Sequence, residues 1–114
     1  TDLNFIKDAT LDAATEIEAI TQFIIEQAAE NVDFPNAAAV DYLHAVGLLS
    51  FAYMFAKIAA AAKDKSGDFY QNKLALAQYF VDRILPELDS RLAKIKAGSD
   101  LIMNFSEDYF TNQA

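Results

Sequence analysis

The most apolar part of the sequence is residues 41–57, DYLHAVGLLSFAYMFAK, which carries no charged side chain between His44 and Lys57. The helical pattern around it extends from about Pro35 to Lys63, and its apolar residues fall on all sides of a helical wheel. A helix that is apolar all round must be covered all round, and two neighbouring helices cover roughly two-thirds of it. The sequence therefore predicts a surplus apolar face on this helix, directed at a partner or at another part of a longer chain.

Apolar residues recur at steps of three and four on both sides of this central stretch. The spacing predicts one helix over about residues 2–31 and another over about residues 68–97. Pro35 suits the first turn of the central helix, with Asp33 or Phe34 at its cap, and Asp68 is the expected N-cap of the last helix. On the last helix the predicted core-facing stripe is Tyr70, Leu74, Ala77, Val81, Ile84, Leu88, Leu92 and Ile95.

Proline and glycine mark two further features of the last helix. Pro86 lies inside it and removes the backbone bond to the carbonyl of Asp82, so a kink is expected there without a break in the stripe. Gly98 is expected to end the helix. The prediction is an all-α fold, an up-down bundle of three long helices followed by a short C-terminal turn (residues 100–103) and a tail. All 114 residues are expected to form a single domain.

Net charge restricts the partners of the chain. The formal charge is −8, which is unsuited to nucleic acid or to an anionic membrane surface. The uncharged run at residues 45–56 is shorter than the ~18 residues of a membrane span, and no signal peptide precedes it. We therefore expect a cytoplasmic protein that binds neither membrane nor nucleic acid.

Few residues are available for chemistry. The sequence has no cysteine and a single histidine, His44, so Asp41 and His44 form an isolated Asp-x-x-His without the second histidine of a di-iron bundle. The carboxylate pairs Glu16–Glu18 and 107–108 do not suggest two acids across a cleft. These acids are better interpreted as part of a solvated helix face. His44 is better interpreted as a packed side chain that forms a local hydrogen bond. We predict no catalytic, cofactor-binding or metal-binding residue in this chain.

Aromatic and large aliphatic residues are the candidates for an interaction surface. Such residues at helical spacing are most often core, and some could line a ligand pocket, but contact with a partner is favoured over a small ligand. Three aromatic residues on the tail also suggest docking. The candidate interface residues are Tyr42, Leu48, Phe51, Phe55, Phe105, Tyr109 and Phe110.

Five segments carry a resemblance to a known family. They are DYLHAVG (41–47), FAYMFAK (51–57), FYQNKLALAQYF (69–80), VDRILPE (81–87) and SDLIM (99–103). Together they resemble the C-terminal helical domain of large bacterial acyl-CoA dehydrogenases, the branch that includes enzymes acting on methylmercaptopropionyl-CoA. Ile84 and Phe55 stand where that pattern commonly has leucine and tryptophan. The resemblance covers about residues 41–103, and only general helical character supports residues 1–34.

The resemblance implies that the chain is a C-terminal fragment of a longer flavoprotein. Enzymes of this family use FAD to oxidise acyl-CoA to trans-2-enoyl-CoA in fatty acid metabolism, with the flavin site and the catalytic glutamate upstream of this domain. No position here matches the catalytic motif. The implied role is a non-catalytic packing or assembly element whose partner is the rest of the enzyme or a second subunit, as in a homo-oligomer. The alternative is a free-standing acidic helical module that binds a partner through its apolar second helix.

Overall fold

The computed structural model describes residues 2–104, 106 and 110. These residues form helices joined by short turns and contain no strand, so the predicted all-α class is confirmed. The α-helices are α1 (Asn4–Glu30), α2 (Phe34–Ala62), α3 (Asp68–Tyr79), α4 (Glu87–Lys96) and the short α5 (Asp100–Met103).

The turn between α1 and α2 is held by the side chain of Asn31, which bonds one backbone amide and one distant hydroxyl. Asn31 ends α1, and its side-chain oxygen accepts a hydrogen bond of 3.0 Å from the amide of Asp33. Its side-chain amide donates to the hydroxyl of the buried Ser99 at 2.8 Å, which ties this turn to the segment after α4. Asp33 is the cap residue of α2, and Pro35 lies in its first turn as predicted.

Two glycines mark the ends of the last helical region. Gly98 follows α4 with a φ of 83°, in the left-handed region that glycine adopts without strain, and so ends the helix where the sequence predicts. The cap of α3 is Gly67, with a φ of 109°, and not Asp68 as expected from the sequence. Asp68 is instead the first helical residue, where its charge favours the positive end of the helix dipole.

The predicted third helix is divided into two α-helices. Between α3 and α4 the backbone forms a π-helical turn, Phe80–Ile84, in which the amide of Leu85 bonds the carbonyl of Phe80 at 2.8 Å. A π-turn adds one residue to the helix, so every later position is rotated relative to a continuous α-helix. Ile84 is therefore exposed, which corrects its place in the predicted stripe, while Phe80 and Leu85 are buried.

Helix α2 is the centre of the molecule, and it packs against α1 on one side and against α3 and α4 on the other. Two groups of buried side chains result. The larger contains Ala13, Ile17, Ile20, Phe34, Ala38, Ala45, Leu48, Ala52, Phe80, Leu85, Leu88, Leu92 and Ile95. The smaller, between the start of α1, the end of α2 and α3, contains Ile6, Ala59, Ala62, Leu74 and Ala77.

The assembly of helices is flat. Its Cα atoms span 66 × 33 × 14 Å. Because packed helices lie 8–10 Å apart, the shortest dimension holds at most two helices in depth. A layer this thin cannot enclose a helix that is apolar on all sides, so one face of α2 is left outside the core.

Candidate interaction surface

The outward side of α2 is apolar and exposed to solvent. The buried residues of α2 occupy one side of the helix, from Phe34 to Ala62. On the opposite side the side chain of Leu43 is 71% exposed and that of Phe51 is 59% exposed. We call this surface the outer face of α2, and its large apolar members are Val40, Leu43, Phe51, Met54 and Ile58. The surplus apolar surface that the sequence predicts is therefore present.

Tyr42 and Phe55 lie at the two edges of the outer face. Tyr42 lies at the α1 edge, where its hydroxyl is 2.6 Å from the hydroxyl of Thr21. Because Thr21 already donates to the carbonyl of Ile17 at 2.7 Å, Tyr42 is the donor in this pair. Phe55 lies at the α3 edge and stacks on the ring of Phe80 at a centroid distance of 4.9 Å.

The remaining candidate interface residues are placed differently. Phe51 contacts the ring of Phe80 edge-on at 6.5 Å but keeps most of its surface exposed. Leu48 is only 7% exposed and packs in the larger core, so its side chain is used inside the chain and does not line a surface. Phe110 is exposed. The predictions for Phe105 and Tyr109 lie outside the described residues, as does the 107–108 acid pair.

An apolar groove of about 490 Å³ lies beside the outer face, between α1 and the first half of α2. Its walls carry two hydroxyls, those of Thr21 and Tyr42, and these bond each other. No charged side chain lines it; the other lining residues are Ile24, Ile25, Pro35, Ala38, Ala39, Leu43 and Val46.

A second groove of about 520 Å³, between α1 and α4, is acidic. Glu16 of α1 and Asp89 of α4 both line it, together with Lys96. Partial burial is the main cause that raises the pKa of Glu16; repulsion from Asp89 and Asp12 adds to it and Lys96 opposes it. From the sequence, Glu16 was paired with its near neighbour Glu18. Its proximity to Asp89 could not be seen there, because Asp89 is more than seventy residues away in the chain.

Asp41 and His44, the pair considered for a metal, point to different surroundings. Asp41 accepts a hydrogen bond of 2.9 Å from Arg91 of α4, which also bonds Glu87, whereas His44 is exposed and not packed as expected. These bonds, first to Asp41 and then to Glu87, raise the pKa of Arg91. Among residues 2–104, 106 and 110, no three His, Asp or Glu side chains are grouped so as to hold a metal ion.

Length and composition alone would allow α2 to cross a membrane. Its most apolar 18-residue window has a mean hydropathy of 1.7, and 28% of that window is buried inside the structure. Core helices of soluble proteins meet the same criterion, so the observation is weak support for a membrane span. The twelve-residue uncharged run alone predicts a segment too short to span a membrane. The structure extends the helix around that run to 29 residues, which is long enough.

Comparison with known proteins gives one match. A family model described as "Acetyl-CoA dehydrogenase C-terminal like" matches residues 2–106. The match includes α1, which the sequence motifs do not reach, and thus covers all the helices described above. No curated protein and no solved structure matches the chain significantly.

Proposed function

The chain belongs to the acetyl-CoA dehydrogenase C-terminal-like family, and from this membership we propose that it is a non-catalytic packing or assembly domain of an FAD-dependent acyl-CoA dehydrogenase. The proposed parent enzyme is bacterial and cytoplasmic, converts acyl-CoA to trans-2-enoyl-CoA, and belongs to the branch that includes methylmercaptopropionyl-CoA dehydrogenases. The family match supports a place within such an enzyme. The proposed assembly role rests on the exposed apolar outer face of α2.

Neither of the two grooves described above fits the diphosphate of FAD. The diphosphate of this cofactor needs cationic side chains or a row of backbone amides. The groove between α1 and α4 presents Glu16 and Asp89 against a single Lys96, and the groove between α1 and α2 has no cationic residue. We therefore propose that the flavin and the acyl-CoA chemistry of the parent enzyme lie in other parts of that protein.

The outer face has the composition of a surface that another protein covers. Isolated apolar residues are normal on protein surfaces, but contiguous apolar patches are typical of interaction sites. Here one helix carries Leu43, Phe51 and Met54, each more than half exposed. Covering these side chains removes apolar area from water and so stabilises the assembled protein.

The test uses the longer protein encoded by the gene that contains these residues. Purified protein carrying Leu43→Glu and Met54→Glu is compared with wild type and with the control Ala60→Glu, an exposed position of α2 away from Leu43 and Met54. Because both substituted side chains are exposed, the domain itself should keep its fold. We expect bound FAD and kcat to be retained, while thermal stability or oligomeric mass falls for the double variant alone.

Two results would contradict this proposal. Unchanged mass and melting temperature in the double variant would remove the assembly role. Loss of flavin or of acyl-CoA oxidation at unchanged assembly would place the outer face near the active site.

The alternative, a free-standing module that binds a partner helix, uses the same outer face. The two proposals are distinguished by the gene sequence upstream of the Thr1 codon. Several hundred in-frame codons upstream of Thr1 that encode an acyl-CoA dehydrogenase core support the domain, whereas a start codon immediately before Thr1 supports the module.

A further inference from the structure

Gly47 occupies the middle of the outer face, where no described residue explains the absence of a side chain. Glycine destabilises a helix relative to alanine, so it is expected in a helix interior only where space is short. Apart from its two chain neighbours and the backbone of its own helix, a Cβ atom built on Gly47 meets no atom of the described residues within 4 Å. None of the described neighbouring helices makes a close contact at Gly47. The described residues thus leave space at Gly47 for a helix of another molecule.

The residues around Gly47 form a regular stripe. Steps of four and three alternate along the outer face, which is the spacing by which two helices pack along a seam. We call this stripe the seam, and its members are Asn36, Val40, Leu43, Gly47, Ser50, Met54, Lys57 and Ala61. None of the eight is buried in this structure.

The seam is symmetric about its own midpoint, between Leu48 and Leu49. When two α2 helices are placed antiparallel about that point, Gly47 of each faces Ser50 of the other, and Leu43 faces Met54. Small residues then meet at the centre, where the backbones approach closely, and large residues meet on either side. A surface that complements itself in this way is what a two-fold dimer requires.

Charge at the ends of α2 favours the same arrangement. Residues 26–33, which lead into α2, carry three acids and no base, whereas residues 57–65 carry three lysines and one aspartate. In an antiparallel pair the lysine-rich end of each α2 lies beside the acidic end of the other. In a parallel pair like charges would lie side by side.

We propose that the seam binds a second copy of this chain, with the two α2 helices antiparallel and Gly47 and Ser50 at the two-fold axis. The proposal names the partner for the outer face and so rests on the assembly role proposed above. The remainder of a longer protein and a lipid surface are the competing occupants.

The first experiment measures the mass of the 114-residue chain in solution over a range of concentrations. Wild type is expected as a dimer. Gly47→Lys places a charge at the axis and is expected to weaken dimerisation at least a hundredfold, while its melting temperature at low concentration stays equal or rises, because the monomer has room there. Gly47→Ala weakens the dimer less. The matched control Ala60→Lys, at an exposed α2 position off the seam, leaves the dimer intact.

A second experiment tests the orientation, using the absence of native cysteine. Spin labels on S50C are expected to lie close together in the dimer. Labels on A61C are expected about 38 Å apart along the helices, from a rise of about 1.5 Å per residue. Short distances at both positions would mean a parallel pair and would overturn the proposal.

Three further outcomes would overturn it. One is a chain that stays monomeric at all concentrations, with the seam covered only in the longer protein; this leaves the assembly role intact. Another is flotation with neutral phosphatidylcholine vesicles that Gly47→Lys prevents. The third is a longer protein whose assembly is insensitive to both Gly47→Lys and the Leu43/Met54 double variant, which contradicts the assembly role as well.

Discussion

The backbone amide of Leu85 bonds the carbonyl of Phe80, five residues earlier in the chain, at 2.8 Å. In an α-helix this amide would bond the carbonyl of Val81. The additional residue in the turn brings Leu85 into the core beside the already buried Phe80 and leaves Ile84 on the surface. Pro86 follows directly, and its ring would crowd the carbonyl four residues earlier in a regular helix. The wide turn thus satisfies proline sterics and core packing together.

Pro86→Ala tests which of these two causes maintains the π-turn. We expect the turn to persist, because a regular α-helix would rotate Leu85 out of the core and Ile84 into it. A crystal structure or backbone NMR assignments of the variant would show which side chain is buried. A buried Ile84, with the amide of residue 86 bonded to Asp82, would mean that proline alone maintains the turn.

Among the described residues, Phe80 is the largest fully buried side chain, and it connects α2 to the π-turn. It is 1% exposed, stacks on Phe55 and contacts Phe51 edge-on. Phe80→Ala is therefore expected to lower the free energy of unfolding by roughly 3–5 kcal/mol, measured by urea denaturation. Leu76→Ala, at an exposed position of α3, is the control and should cost less than about 1 kcal/mol. Similar losses in both variants would contradict this core assignment.

The sequence was sufficient for the all-α class and for the first two helices, but not for the division of the third. Repeating steps of three and four residues predict α1 and α2 closely, because the apolar period follows directly from helix geometry. The same argument fails at Ile84. A one-residue change of register arises where the sterics of Pro86 and the packing of the core act together, and an average period carries no information about that local combination.

The exposed apolar face of α2 was predicted in kind but only partly by residue. Counting apolar residues on α2 shows that a face remains uncovered, since the argument needs only the number of neighbouring helices. The count of apolar residues does not say which face of α2 is uncovered. Leu48, which the structure places in the core, was therefore selected together with Phe51, which is exposed. Burial depends on which sides α1 and α3 occupy, and those contacts join residues far apart in the chain.

The alanines on the inner side of α2 allow its close approach to the neighbouring helices. Ala52 is fully buried, and the hydroxyl of Thr10 in α1 lies 3.4 Å from its carbonyl. Ala52→Leu adds three carbon atoms where no space exists and is expected to cost about 1–3 kcal/mol of unfolding free energy. Ala60→Leu, at an exposed position of the same helix, should leave stability within about 0.5 kcal/mol. A tolerated Ala52→Leu would mean that α1 and α2 separate easily.

The ion pair between Asp41 and Arg91 joins α2 to α4 at 2.9 Å, with both side chains largely shielded from solvent. Asp41→Asn is expected to lower the melting temperature more than Glu87→Gln, because Glu87 is half exposed and bonds Arg91 within α4. In a double-mutant cycle, Asp41→Asn combined with Arg91→Gln should destabilise less than the sum of the single changes. Strict additivity would mean that the contact contributes nothing to stability.

Glu16 makes stability depend on pH. Burial, followed by repulsion from Asp89 and Asp12, raises its pKa, so the folded state binds this proton more tightly than the unfolded state does. Its contribution to stability is complete below the ordinary glutamate pKa of about 4.3 and is lost as pH rises through the raised value. Glu16→Gln removes the charge at all pH values and should therefore raise the melting temperature at pH 7.

The gain from Glu16→Gln should stay below about 1 kcal/mol, because solvent screens a largely exposed charge. It should disappear near pH 4, where the wild-type carboxyl is itself protonated. Thermal melts of both proteins between pH 4 and pH 8 provide the measurement, with Glu18→Gln, exposed on α1 outside the groove, as the control. A gain of equal size at both ends of this range would mean that side-chain packing in the groove between α1 and α4, and not the charge of Glu16, limits stability there.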